Sequence, residues 1–367
     1  MPVMREPLLM RLGGAAIFKM AVIAAIVLGG VTPCAGDQIL LKSGRSYDEV
    51  TITKATWEQV EYRMRGVSTR QKVDADDVDR LEFTSEPSGL SRGRGALVQG
   101  DWARAVSSLR AASSLPDERQ KANAMYLLSV AHLRWGEQDG AHLGDAAKSA
   151  QEFISRFAEK KDFYLPHAHQ ILSEALMRSG KFSEAEGALQ KLADGTYGNR
   201  WVLGGKLGRG EVLLAQGRHA DARDLFGSVG NDGAVAGDST FRNRAWLGYA
   251  ACQIGQKQYP AAIETVRKKI IEARKRGTPR LDGDMARAWI IWGRAEEERA
   301  GGDRKKLQWA TIRFLRAAVI ATGGDGEALA EALYRAKETW KKLGDTERAE
   351  EMGQRLAQLC PNSPWNK

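Results

Sequence analysis

The hydrophobic positions change their period once along the chain. From residue 37 to 83 they fall on alternate residues, and from residue 92 onward they recur every three or four. In the first stretch Ile39 and Leu41 face one way. Val50 and Ile52 alternate with Thr51 and Thr53, and Trp57, Val60, Tyr62 and Met64 supply further apolar positions. Val73, Val78, Leu81 and Phe83 complete it, with turns at SGR (43–45) and at Gly66. This alternation predicts five short antiparallel strands. A sheet that small must curl on itself or pack on a neighbour to bury its apolar face. Residues 84–91, TSEPSGLS, read as a linker.

Beyond residue 92 the spacing and the abundance of alanine predict helices. One stretch recurs. GDWARAVSSLRAA (100–112), GKFSEAEGALQKL (180–192), GRHADARDLFGSV (217–229) and KQYPAAIETVRKK (257–269) share a turn, an aromatic or histidine, an alanine three residues later and apolar positions beyond. The recurring residues are Gly100, Trp102 and Ala105, then Gly180, Phe182 and Ala185, then Ala222 and Phe226, then Tyr259 and Ala262. A second apolar helix precedes each. The pattern predicts hairpins in which the turn reverses the chain, the aromatic fills the wedge and alanine lets the helix axes approach. A lone hairpin cannot bury its apolar face, so neighbours must stack.

This stretch resembles the tetratricopeptide repeat. Gly93, Gly210 and Gly293 match the close-contact position of the first helix, Ala105, Ala185, Ala222, Ala262 and Ala349 the alanine of the second, and Pro361 the closing proline. The anchor alanines, with Ala147 and Ala310 added, lie 37 to 48 residues apart, against about 34 in the family. The longest step holds ARKRGTPRLDGD (273–284), read as a protruding loop or hinge. The resemblance implies a mainly α, right-handed solenoid of six or seven helix pairs over residues 92–367. Its concave face would hold an extended partner protein, and the last repeat would act as a cap. Residues 37–83 resemble small SH3-like barrels of exported bacterial repeat proteins, through the opening D-x-I-x-L-K-x-G-R, the V-x-Y strand and the closing A-D-D-V-x-x-L-E-F. That resemblance implies a β-barrel-like module ahead of the solenoid.

Residues 1–36 carry Arg5, Arg11 and Lys19 ahead of the apolar run AVIAAIVLGGV (21–31), which is short for a membrane span and ends in small residues. The pattern reads as a secretory signal cleaved after Ala35 or Gly36. An uncleaved anchor and lipidation of Cys34 stay open. Export places the protein in the periplasm or cell envelope. Cleavage removes three basic residues and Glu6, which takes the net charge from +9 to +7. Only Cys252 and Cys360 would remain, too few for a disulfide scaffold, and both read as buried thiols, though export permits a bridge.

The chemistry of the chain is sparse. No G-x-S-x-G or G-x-x-x-x-G-K-[ST] occurs, and LGGKLGRGE (203–211) falls inside a packing helix. DADDVD (74–79) lacks the central glycine of a calcium loop. Glu296, Glu297 and Glu298 read as solvated helix face. His132, His142, His167, His169 and His219 show no zinc spacing: His167 and His169 share no helical face, and the cysteines are distant. No cofactor, metal or catalytic set is expected, and the chain reads as a non-catalytic scaffold, adaptor or subunit of an envelope assembly. Its oligomeric state stays open. Arg267, Lys268, Lys269, Arg274, Lys275, Arg276 and Arg280 form a basic cluster, with Arg304, Lys305 and Lys306 further on. The cluster offers an alternative: peripheral binding of anionic phospholipid or acidic glycan. Nucleic acid is not expected, because no aromatic residues interleave the cluster. Of Trp102, Trp135, Trp201, Trp246, Trp289, Trp292, Trp309 and Trp340, most read as core, and one or two as anchors in a groove.

Overall fold

The computed structural model describes residues 36–84, 86–235, 239–273, 283–361 and 363–366. The signal-like segment 1–35, including Cys34, lies outside them. No helix among the described residues is long and apolar enough to cross a membrane. The chain divides into two compact units, one ending at Gly208 and the other running from Arg209 to Lys367.

The first unit opens with β1 (Asp37–Leu41), β2 (Ser46–Ala55), β3 (Gln59–Met64), β4 (Arg70–Asp74) and β5 (Val78–Glu82), all paired antiparallel. The sheet order is β4-β3-β2-β1-β5. β4 and β5 are therefore free edges, and the sheet is open. This corrects the expected SH3-like barrel. Ile39, Leu41, Val50, Ile52, Val60, Tyr62, Val78, Leu81 and Phe83 are buried as the alternation predicts, whereas Trp57 and Val73 are half-buried and Met64 is exposed. The sheet is instead tied to helices, so it need not curl to hide its apolar face. Arg119 donates to the Ile52 carbonyl, and Asn123 Nδ2 donates to the Leu81 carbonyl at 3.5 Å. Thr56 bridges Asp162, and Trp57 N donates to the Lys161 carbonyl at 3.2 Å. The Asp37 carboxylate clamps the sheet from within, accepting Ile52 N at 2.9 Å and Thr84 N at 2.8 Å.

The helices of this unit are α1 (Ser88–Gln99), α2 (Trp102–Ala112), α3 (Glu118–Gln138), α4 (Leu143–Phe157), α5 (Leu165–Arg178), α6 (Phe182–Ala193) and the first part of α7 (Asn199–Ala215). α1 begins at Ser88, within the stretch read as a linker. The second unit holds the rest of α7, then α8 (His219–Gly230), α9 (Ser239–Gly255) and α10 (Tyr259–Val266), which widens into a π turn over Arg267–Ile271. α11 (Gly283–Glu298), α12 (Arg304–Ala321), α13 (Gly326–Leu343) and α14 (Thr346–Leu359) complete it. Among the described residues these pair in order as seven hairpins. Aspartates cap several starts: Asp101, Asp303 and Asp345 accept the backbone N–H of Arg104, Lys305 and Arg348.

Each hairpin repeats one contact. Ala105, Ala146, Ala185, Ala222, Ala262 and Ala349 are buried, and each is the fourth residue of its helix. The anchor assigned to Ala147 belongs one residue earlier. Ala147 is half-buried because a helix advances about 100° per residue. In α12 the fourth place is Leu307, and Ala310 is buried one turn later. Trp102, Phe182 and Tyr259 open their helices half-buried. Gly180 turns the chain at φ 74°, where a side chain is strained. Gly93, Gly210 and Gly293 sit against Leu109, Phe226 and Phe314. Pro361 is exposed just beyond α14. Cys252 and Cys360 are both free and buried.

Gly293→Ala would place a Cβ 2.5 Å from the ring of Phe314, which is fully buried. It is expected to destabilise by about 1–3 kcal/mol in urea unfolding. Burial pushes the Asp162 carboxyl up from 3.8 to about 6, against the Tyr164 N hydrogen bond and the Lys160 charge. Between those values the folded chain holds a proton that the unfolded chain has released. The stability from this group is therefore full below about pH 4 and is lost as pH rises through 6. Asp162→Asn should flatten that part of the urea midpoint against pH.

Candidate functional site

A helix that buries one face leaves the other to water, and charge normally covers it. α12 departs from this. Its exposed residues recur at three and four: Lys305, Gln308, Trp309, Ile312, Arg316 and Val319 share one stripe. Trp309, Ile312 and Val319 are 46%, 47% and 67% exposed. The helix carries Arg304, Lys305, Lys306, Arg313 and Arg316 and no acid.

Two of these five cations are held on aromatic rings, while Lys306 pairs with Asp303, ahead of the helix, at 3.4 Å. Arg313 lies 4.4 Å from the Trp292 ring centre, 5.4 Å from Trp289 and 5.5 Å from Trp309. Arg316 lies 4.1 Å from Trp289. Trp289 and Trp292 stack at 5.1 Å. The Arg313 Nε is buried without a hydrogen-bond partner among the described residues. Burial lowers the pKa of its guanidinium, and Glu296 opposes that shift. Of the other tryptophans, Trp246 is buried, and Trp102, Trp135, Trp201 and Trp340 are half-buried. Of the eight tryptophans expected mostly in the core, only Trp246 and Trp289 are buried, five are half-buried, and Trp309 is exposed.

The basic cluster is only partly described. Arg274, Lys275, Arg276 and Arg280 lie outside the described residues. Arg267 pairs with Glu264 at 2.7 Å and with Glu272 at 2.6 Å. Lys268 pairs with Glu264 at 2.7 Å, and Lys269 lies 4.5 Å from the Trp246 ring centre. Two of these three cations are thus neutralised locally, as exposed helical ion pairs commonly are.

A third feature lies in the first unit. A cavity of about 470 Å³ is lined by Arg110, Ser113, Met125, Leu128, His132, Asp145, Lys148, Ser149 and Glu152. His132 is buried, and its Nδ1 has no hydrogen-bond partner among the described residues. Burial lowers its pKa, as do Arg110 and His142, while Asp145 opposes the shift. His142, which ends the short turn Gly140–His142, stacks on Trp135 with ring centres 3.6 Å apart. Its Nδ1 is 3.8 Å from Asp145 Oδ2, and its Nε2 is 4.0 Å from Asp139 Oδ2. One donor atom each from His132, His142 and Asp145 lie within 4.8 Å of one another. Sequence spacing did not show this trio, because the fold of the α3–α4 hairpin brings it together. The remaining histidines do not join it. His167 packs among Phe163, Tyr164 and Trp201, where burial drives its pKa down to about 3.

Residues 172–229 match the tetratricopeptide-repeat family. A comparison with curated proteins finds no match. Among solved structures, the apo form of RapI aligns with a TM-score of 0.50 at 11% identity, over 75% of this chain and 97% of that one. A tetratricopeptide-repeat protein from Parabacteroides merdae aligns at 0.48 and 17% identity, over 74% and 92%. The C-terminal part of a TPR repeat-containing protein from Cytophaga hutchinsonii aligns at 0.43 and 13%, over 75% and 96%. The family match and the RapI likeness support a mainly α fold of tetratricopeptide-like helix hairpins. That fold is a non-catalytic scaffold, generally used to hold partner proteins.

The His132 Nδ1 makes no hydrogen bond among the described residues. His132→Leu removes a buried unsatisfied atom at similar volume. It should leave stability within about 1 kcal/mol of the parent or raise it, in contrast to the 2–5 kcal/mol typical of core truncation. Urea unfolding of both proteins measures the difference.

Proposed function

We propose that this chain is a non-catalytic interaction scaffold of the periplasm or cell envelope, docking a partner protein on the exposed face of α12. The observation that carries the reading is the apolar stripe Trp309, Ile312 and Val319 beside Arg313 and Arg316. Tryptophan and arginine are the residues that most often dominate binding energy at protein interfaces. The basic residues of α12, with Lys306 paired to the capping Asp303, fit an acidic partner segment with apolar anchors, because complementary charge steers association and excludes wrong partners. Repeat arrays commonly hold partners along an extended concave surface; here the residues with anchor chemistry are those of α12. The location rests on the basic residues and apolar run ahead of residue 36. A permanent subunit of an envelope assembly is the same reading with a longer-lived partner.

The test is affinity capture from a native envelope extract, with the captured protein then titrated against the purified chain. Trp309→Ala should weaken binding about 30-fold, the scale of an interface hot spot, with the circular dichroism unchanged. Added salt should slow association. Retained affinity in a Trp309→Ala, Ile312→Ser, Val319→Ser variant overturns the docking face. Salt-sensitive binding to anionic vesicles that is lost when Lys268 and Lys269 become glutamine would instead support the anionic-surface role.

A further inference from the structure

We infer that His132, His142 and Asp145 form a binding site for a zinc-class divalent cation in the α3–α4 hairpin. Three observations on different side chains converge. First, one donor atom from each lies within 4.8 Å of the others. Tetrahedral zinc, with bonds of about 2.0–2.2 Å, separates its ligand atoms by roughly 3.3 Å. The cluster must therefore close by about an ångström or more at its widest, and the exposed Asp145 carboxylate is free to turn inward.

Second, His132 is only 3% exposed and lines the cavity, yet its Nδ1 has no hydrogen-bond partner among the described residues. Buried imidazoles normally satisfy their polar atoms, and a neutral imidazole nitrogen without a partner is a metal donor. Third, a carboxylate stands near the outer side of His142 and must close by about an ångström to hydrogen-bond with it. With His142 Nδ1 turned to Asp145, its Nε2 faces Asp139 Oδ2 at 4.0 Å. A carboxylate behind a ligating histidine fixes its ring and raises its basicity. The Trp135 ring, stacked at 3.6 Å, holds the same imidazole from the side.

The donor set is two imidazoles and one carboxylate, which suits zinc above calcium or magnesium. Three protein ligands leave one position open. Arg110 and Lys148 line the same cavity, so the fourth ligand is expected to be anionic: hydroxide, a carboxylate or a phosphate.

The experiment is calorimetric titration of zinc chloride into untagged, chelator-treated full-length chain, with cobalt(II) visible absorption as a second readout. The expected result is saturable binding of one ion per chain and the absorption of a four-coordinate cobalt site. Asp145→Asn and His142→Gln, both outside the core, should each abolish it. Asp139→Asn should weaken it about tenfold or more, and His219→Gln should leave it unchanged. His132→Phe should also abolish binding, with the helical circular dichroism retained. No saturable one-to-one binding, or a site that survives both Asp145→Asn and His142→Gln, overturns the inference.

Discussion

Two helices can pair closely only where small side chains meet, and the hairpins of this chain depend on that contact. The fourth residue of the second helix is a buried alanine in six of the seven pairs. Glycine in the first helix accepts the bulk opposite: Gly93 meets Leu109, Gly210 meets Phe226 and Gly293 meets Phe314. Interiors are packed as densely as organic crystals, so these contacts leave little room for a larger residue. Length is less constrained than contact. The anchors lie 37 to 48 residues apart, because turns and helix ends absorb extra chain without disturbing the buried step.

The pair α11–α12 departs from the others. Leu307 takes the alanine place, and the α12 surface turns outward with Trp309, Ile312 and Val319. The same unit holds a charged network between α11 and α13. Arg335 pairs with Glu331 at 2.7 Å and reaches Glu297 at 4.0 Å, while Lys342 pairs with Glu297 at 2.6 Å. The neighbouring Arg294 is buried, and burial together with Arg335 lowers its pKa to about 10, against the pull of Glu331. Buried charges of this kind contribute little net stability, but removing one partner leaves an uncompensated ion. The network links α11 to α13 through Glu297, Arg335 and Lys342.

The amino-terminal sheet shows the same economy of burial. Its strands alternate as the sequence predicts, yet closing into a barrel would duplicate a cover already supplied by helices. Arg119, Asn123 and the backbone at Lys161 and Asp162 all bond to it. The Asp37 carboxylate, which joins β2 to Thr84, two residues beyond β5, holds the two sides of β1 together without a closing pair between β4 and β5.

The sequence by itself determined the period of each segment, and with it the class of each element. Alternation announced five strands, and the aromatic–alanine–apolar spacing announced the helix hairpins and nearly every packing residue. Ala147 missed by one position because a short turn before α4 shifts the helical phase, and phase is set by where a helix starts. Tertiary structure alone decided three further matters. The open sheet followed from which surface covered it, and the same strand pattern is compatible with a barrel or a packed sheet. The exposure of Trp309 followed from which face of α12 met its neighbours, because helical spacing alone does not say which tryptophan lies on the open face. The meeting of His132 with His142 and Asp145 followed from a hairpin bend between two helices. Spacing along a chain reports distance only within one regular element, and side chains on different elements acquire a distance only when those elements pack.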